Sequence, residues 1–361
     1  MHGNQIIGVK MKKEIEIILL GVLQKKTENE QKKFDDLFFN NLDWAWITGE
    51  LIRHRLNGIF FQKLSDAQRK YLYGKIRATF SLLCNMYEES SKVNLCFAQQ
   101  LFEETNKANI KVAGLKGLVY NTSIYNLKTR KSNDIDILIT EENLSKFDEI
   151  MRSFGFIQSS DDGYTEATRK EKLIQLMNYH DLVPYVKRIE LPYQETIEVD
   201  VNFHFDSKDH EITKEILDEG LQWYEGNGYR IQGLKWTTHL AFLCTHFYRE
   251  ASNSIWTKDA RDVDLYKLVD IENTFRTFTD EQMFEWLDTI RKFDLQRQCY
   301  FTLFYLNKFY PNPLYEKLMQ EIKPENDDFV NQVLISGSNE IVERKVDFFE
   351  QTFDMHFGKE N

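Results

Sequence analysis

The chain is poor in cysteine and proline, lacks a long apolar run, and has fewer basic than acidic residues. Cys84, Cys96, Cys244 and Cys299 contain no CxxC pair, so neither a zinc knuckle nor a disulfide framework is indicated, and a reducing cytoplasm is the simplest setting. Met11-Lys12-Lys13 followed by Ile15 to Leu23 has the outline of a signal peptide, but Glu14 and Glu16 interrupt it and no small-residue cleavage site follows. The stretch therefore reads as a first helix, with residues 1–10 as a leader ahead of it. It is also too short to cross a bilayer, which takes about 20 residues, so no membrane partner is expected. Lys and Arg number 46 against 57 Asp and Glu, a formal net charge of -11. That balance disfavours a broad nucleic-acid surface, because such surfaces neutralise phosphates with Lys and Arg; local basic patches stay open. No internal repeat, low-complexity tract or Pro-rich linker divides the chain.

What the sequence does have is core material. Its 361 residues are 42% hydrophobic and 14% aromatic, enough for two or three packed units. Changes of period set the expected boundaries. Residues 1–95 read as an N-terminal helical module: the stretch from residue 11 has no proline, and apolar residues recur at helical spacing, as in Phe34, Leu37 and Phe38. Residues 96–235 alternate helix and strand. Helices are expected over Leu101 to Asn109, Leu118 to Tyr125 and Asn143 to Phe154, the last capped by Gly155. Strands are expected at Lys111 to Leu115, through the Asp134 and Asp136 segment, and around Phe156 to Gln158, Ile174 to Val186 and Thr196 to Phe205. Residues 236–361 return to helical spacing and end in Phe348, Phe349 and Phe353, most simply core or a subunit contact. The predicted class is α+β, a small mixed sheet flanked by helical modules.

The chemistry concentrates in Gly114-Leu115-Lys116-Gly117 and in Arg130-Lys131-Ser132-Asn133-Asp134-Ile135-Asp136-Ile137-Leu138-Ile139. Alternate residues of a strand share a face, so Asp134 and Asp136 project together while the isoleucines enter a core. Two carboxylates so held suit a divalent metal. A glycine-bounded turn entering a helix offers N–H groups and a positive dipole end to a phosphate, and Lys116 adds a charge. Phosphate cradle plus metal carboxylates points to nucleotidyl transfer.

These residues, with the tyrosine-containing helix between them, resemble the DNA polymerase beta-like nucleotidyltransferase superfamily, and more closely its bacterial branch of uncharacterised nucleotidyltransferases. Asp43-Trp44 and Arg53-His54-Arg55-Leu56 resemble that branch's N-terminal signature. Tyr179-His180-Asp181-Leu182-Val183-Pro184, Glu198-Val199-Asp200-Val201-Asn202 and Leu243-Cys244-Thr245-His246 resemble its later blocks. Lys116-Gly117 stands where the wider superfamily has a glycine-serine pair, and Asn202 where the branch commonly has a histidine. The resemblance implies a metal-dependent enzyme moving a nucleoside monophosphate from an NTP to a hydroxyl or phosphate of a small molecule, peptide or protein. Asp134, Asp136 and Asp200 would be catalytic and would hold Mg²⁺ or Mn²⁺, with Glu198 the rival for the third position. Gly114, Lys116, Gly117, Arg130 and Ser132 would bind the nucleotide, and Lys131 is an alternative to Arg130.

His180, Glu198, Asn202 and His204 are candidates for an acceptor pocket. His239 and His246, seven apart on one helix face, read as packing because closer paired ligands are missing. Asp262 and Asp264, expected with Arg261 in a helix, read as a ligand-positioning pair or a structural salt bridge. Two other outcomes stay open: a non-catalytic nucleotide sensor or scaffold, and other nucleotidyl transfers, to tRNA ends or to an antibiotic. Base preference, acceptor and oligomeric state are not legible.

Overall fold

The structure is a computed structural model and describes residues 12–257, 262, 264–338 and 340–354. The leader 1–10 and Arg261 lie outside the described residues. Five helices open the chain: α1 (Lys13–Gly21), α2 (Glu28–Phe38), α3 (Trp44–Arg53), α4 (Asn57–Lys63) and α5 (Asp66–Tyr71). Side-chain caps start three of them. Thr27 and Ser65 form capping boxes with Glu30 and Gln68, and Asp43 accepts from the Ala45 and Trp46 N–H groups. The first motif of the N-terminal signature is thus a helix start.

The long α6 (Gly74–Lys107) runs through residues 95 and 96 and leads into the sheet region. There β1 (Val112–Gly114), α7 (Lys116–Ser123), β2 (Ile135–Ile139), α8 (Leu144–Ser153), β3 (Ile157–Gln158), α9 (Arg169–Asn178), β4 (Tyr185–Leu191), β5 (Gln194–Asn202), α10 (Thr213–Asp218), β6 (Leu221–Gly226) and β7 (Tyr229–Leu234) follow in order. The seven strands form one mixed sheet, ordered β3-β4-β5-β2-β1-β7-β6. Two neighbouring pairs, β2 with β5 and β1 with β7, are parallel and the others antiparallel. The chain closes with α11 (Trp236–Ala251), α12 (Ser254–Thr257), α13 (Tyr266–Phe275), α14 (Asp280–Lys292), α15 (Gln296–Phe309), α16 (Pro313–Glu321), a small hairpin of β8 (Gln332–Leu334) and β9 (Ile341–Glu343), and α17 (Phe348–Thr352). The architecture is α+β: a mixed sheet flanked by helices. No helix is long and apolar enough to cross a membrane among the described residues.

Period-2 alternation sorts the two sheet faces into two cores. Ile135, Ile137, Ile139, Val199 and Val201 pack with Leu101 and Phe102 of α6 and Phe147 and Met151 of α8. On the other face Leu138 joins a larger core containing α1 to α4 together with α11 and α13 to α16. Helices from both ends of the chain therefore share one core. A buried cross-link reinforces it: His54 Nε2 lies 3.0 Å from the Thr352 carbonyl, and the Leu265 N–H donates to His54 Nδ1 at 3.1 Å. Arg53 donates to the same carbonyl and to Glu50. The second signature motif is therefore structural, tying α3 to the C-terminal helices. Phe348, expected as core or a subunit contact, is buried against Tyr305 and Phe247.

Two expectations are corrected. Ile174 to Val186 is not one strand, because residues 169–178 are helical, Asp181 makes only an isolated bridge to Asn202, and the strand begins at Tyr185. A capping box, Thr168 with Glu171, starts that helix and overrides the strand-like run. Asp262 and Asp264 are not in a helix but lie between α12 and α13, where Asp262 accepts from Arg344 at 3.0 Å as a buried salt bridge. One hairpin went unread: β6 and β7 turn at Asn227-Gly228, both with positive φ (53° and 84°), the two-residue turn that matches strand twist.

Candidate active site

The site lies where β1, β2 and β5 run side by side. In the parallel pair β2 and β5, Asp136 sits directly beside Asp200, Ile135 beside Val199 and Ile137 beside Val201. In-register pairing puts both carboxylates on one face, and Asp134, just ahead of β2, comes up beside them. Glu198 is two positions before Asp200 on the same face. Four carboxylates thus share one end of the sheet.

Their titration records the crowding. Asp136 is only 4% exposed, and burial raises its carboxyl to about 6, opposed by Lys116 and reinforced by Asp134. Asp200 is raised well above the ordinary range, by burial first and then by Asp134, Asp136 and Glu198. Glu198 is raised too, by burial first and then by Asp134, Asp162 and Asp136. Among the described residues no three His, Cys, Asp or Glu side chains converge closely enough to enclose an ion as they stand.

One cation already touches the cluster. Lys116 Nζ donates to Asp136 Oδ1 at 2.8 Å, and its backbone holds a left-handed φ of 44° at the start of α7. That conformation is unfavourable for a residue with a Cβ and is held from both sides. The Leu115 N–H donates to the Asp136 carbonyl at 2.9 Å, and the Lys116 N–H donates to His239 Nε2 at 3.0 Å. His239 is fully buried and depressed to about 3, by burial and then by Arg130, so the ring is neutral and accepts. Of the first three N–H groups of α7, two are therefore committed internally, since Leu118 donates to Leu115. His239 is a structural brace for the turn, as its lone spacing suggested.

Gly117 is required by close approach. A Cβ there would fall on Ser132 Oγ and Arg130 Nη1, so the turn and the segment before β2 are in contact. Ser132 Oγ in turn donates to the Asp134 carbonyl at 3.0 Å. Gly114 pairs with Ile137 on β2 and Gly233 on β7, packed against Phe102 and Leu118. Arg130 is buried, with Nε donating to Asp270 at 2.8 Å and its guanidinium over the Tyr120 and Tyr266 rings. Tyr125 Oη donates to the other Asp270 oxygen at 2.9 Å, so one carboxylate on α13 holds the segment before β2. Lys131 is exposed.

The proposed acceptor residues separate. Asn202 Nδ2 donates to the Ile137 carbonyl at 3.2 Å, a strand-to-strand tie. His180 is depressed to about 2, by burial and then by Arg249, Lys116 and His204, and its carbonyl receives the Phe203 and His204 N–H groups. His204 is buried and faces a different cavity, with Glu141 and Glu211.

Sequence reasoning missed Arg249 and Lys267. Arg249 donates to the Asp206 carbonyl at 3.0 Å and to His246 Nδ1 at 3.2 Å, and its charge reaches Asp181 and Asp136. Lys267 pairs with Glu250. His246, neutral through burial, lies in the fields of Lys116, Arg249 and Lys267. Three cations therefore stand round one imidazole beside the carboxylates. Arg249 is three residues past His246 on α11, a spacing that was readable; nothing in residue order links Lys267 to the site.

Residues 40–311 match the family model described as uncharacterised nucleotidyltransferase. The chain belongs to that nucleotidyltransferase family. The span includes the Asp43 cap, the carboxylate cluster, Arg249 and Lys267. No match is found among curated proteins. Among solved structures the chain is similar to an antigenic nucleotidyltransferase-like protein from Paracoccidioides brasiliensis, at 14% identity over 56% of this chain and 90% of that one, with a TM-score of 0.33. A likeness that low carries no weight for the site.

Proposed function

We propose that this nucleotidyltransferase, of polymerase beta-like type, moves a nucleoside monophosphate from an NTP to a hydroxyl or phosphate of a small molecule, peptide or protein. The in-register pairing of Asp136 with Asp200, with Asp134 alongside, is the observation that carries the reading. Mg²⁺ or Mn²⁺ fits the donor set, which is all oxygen and repels itself. Asp134, Asp136 and Asp200 would hold the metal, which when bound supplies charge neutralisation at the reacting phosphate.

The chain's own residues do the rest. Gly117 lets the turn approach the β- and γ-phosphates, with Lys116 as their counter-charge. Arg249 and Lys267 bring positive potential from α11 and α13 towards the leaving pyrophosphate. Asp200, beside Asp136 on the neighbouring strand, would take the proton of the attacking hydroxyl. A bond forms from that oxygen to the α-phosphorus as the bond to pyrophosphate breaks. Arg130 acts through Asp270, fixing the segment that carries Asp134.

Mass spectrometry of candidate acceptors and of the protein itself, after incubation with each NTP and Mg²⁺, tests the reading. A nucleotide-sized mass gain absent from Asp134→Asn/Asp136→Asn is expected; no product over a broad panel, and no NTP binding, sinks it. Two observations favour a non-catalytic nucleotide sensor: Lys116 already neutralises Asp136, and no three ligands converge among the described residues. Mg²⁺-dependent NTP binding without pyrophosphate release in the presence of any acceptor would select that second reading.

A further inference from the structure

A cavity of about 440 Å³ opens beyond the ends of β2 and β5, apart from the carboxylate cluster. Its charged lining is Glu141, Glu142, Glu211 and Lys214. Lys214 pairs with Glu142 at 3.3 Å, and among the described residues neither Glu141 nor Glu211 forms an ion pair. The cavity therefore carries two uncompensated negative charges. His204 also lines it, is only 3% exposed, and has a buried Nε2 with no hydrogen-bond partner in the protein. Buried polar atoms are nearly always paired, so a vacant imidazole nitrogen in a cavity wall marks a place for a ligand group.

The chemistry narrows that group. Burial holds His204 below its ordinary pKa, though Glu211 and Glu141 pull the other way, so the ring is neutral and has one nitrogen free to accept. Two carboxylates and an acceptor nitrogen suit an ammonium, which brings a positive charge and three donors. An anion is repelled, and a neutral hydroxyl leaves both charges unanswered.

Position ties the cavity to the chemistry. Thr140 follows Asp136 by four residues, just past the end of β2, and His204 follows Asp200 by four, two past the end of β5. At about 3.3 Å per extended residue the cavity is at most about 13 Å from the carboxylates. We propose that the cavity takes the ammonium end of an amine-bearing acceptor whose hydroxyl reaches Asp200, a role that rests on the nucleotidyl-transfer reading.

Spermidine is the probe, titrated calorimetrically at low salt, with 1,8-octanediol as the uncharged control. One saturable site is expected for spermidine and none for the diol. Glu141→Gln/Glu211→Gln weakens binding about tenfold, in line with two partly screened ion pairs. Glu103→Gln/Glu325→Gln removes the same charge elsewhere on the surface and changes it less than twofold. Equal weakening in both variants, or no saturable binding, overturns the proposal. NTP with Mg²⁺ is titrated in parallel. If the wild type fails to bind NTP while the glutamate pattern holds, the amine site stands and the nucleotidyl-transfer reading falls.

Discussion

In metal-free protein the carboxylate cluster is a source of instability whose size follows from Asp136. Its carboxyl is raised from 3.8 to about 6, because burial outweighs the help from Lys116. A group whose folded pKa is raised stabilises the fold below its unfolded pKa, and that contribution is lost as pH rises through the folded pKa. About two pH units, at about 1.36 kcal/mol each, is a loss of about 3 kcal/mol between pH 4 and pH 8. Asp136→Asn mimics the protonated form at every pH, so it escapes the loss. With an unfolding entropy of about 2.1 cal/mol/K per residue, about 3 kcal/mol corresponds to about 4 °C for a chain of this length. Thermal denaturation of wild type and variant in EDTA, from pH 4 to pH 8, should show the Tm difference moving by about 4 °C in the variant's favour. Relief of Asp200, which Asp136 also raises, acts in the same direction. A Tm difference constant to within 1 °C across the range would refute the reasoning.

Gly117→Ala should destabilise by about 1–3 kcal/mol in urea unfolding, because the methyl meets Ser132 and Arg130, and Ser132→Gly in the same chain should recover part of it. Asp270→Asn leaves Arg130 buried without its anion and should cost about 3–5 kcal/mol; a loss under 1 kcal/mol would show that the pair does not hold the segment before β2. Of the four cysteines only Cys96 is exposed, so one thiol should react rapidly with a disulfide reagent in the native protein and four in denaturant.

The carboxylates were legible because their placement needs only period 2 and a parallel partner. Asp134 and Asp136 declare themselves within three residues, and Asp200 follows once its strand is laid beside theirs. Gly117 was readable as a turn, but its contact with Ser132 and Arg130 was not, since both lie beyond the rest of α7 and the loop that follows it. Arg130 read as a nucleotide ligand because the family resemblance implies one just ahead of Asp134; its partner Asp270 is 140 residues away, and only the shared core brings them together. The β6–β7 hairpin was written in Asn227-Gly228, and α9 in Thr168 with Glu171. The α9 signal lost to the strand-like run from Ile174 to Val186. The His204 cavity had no local signal, because Glu141 and Glu211 meet only through the sheet.

Lys116 joins the two halves of the site, and its two roles can be separated. As a counter-ion it makes Asp136 tolerable when buried; as a phosphate ligand it must turn towards the NTP. Removing one partner of a buried pair leaves the other uncompensated, whereas removing both is far milder. In EDTA at pH 8, Lys116→Met should therefore be destabilising, and Lys116→Met/Asp136→Asn less so than the sum of the single changes, with a coupling of about 1–3 kcal/mol. NTP titration then isolates the second role. If Lys116 leaves Asp136 for phosphate, Lys116→Met should weaken NTP binding about tenfold even with Asp136→Asn present. If that double variant binds NTP as tightly as Asp136→Asn alone, Lys116 is only the partner of Asp136, and the phosphates are held by the Gly117 turn with Arg249 and Lys267.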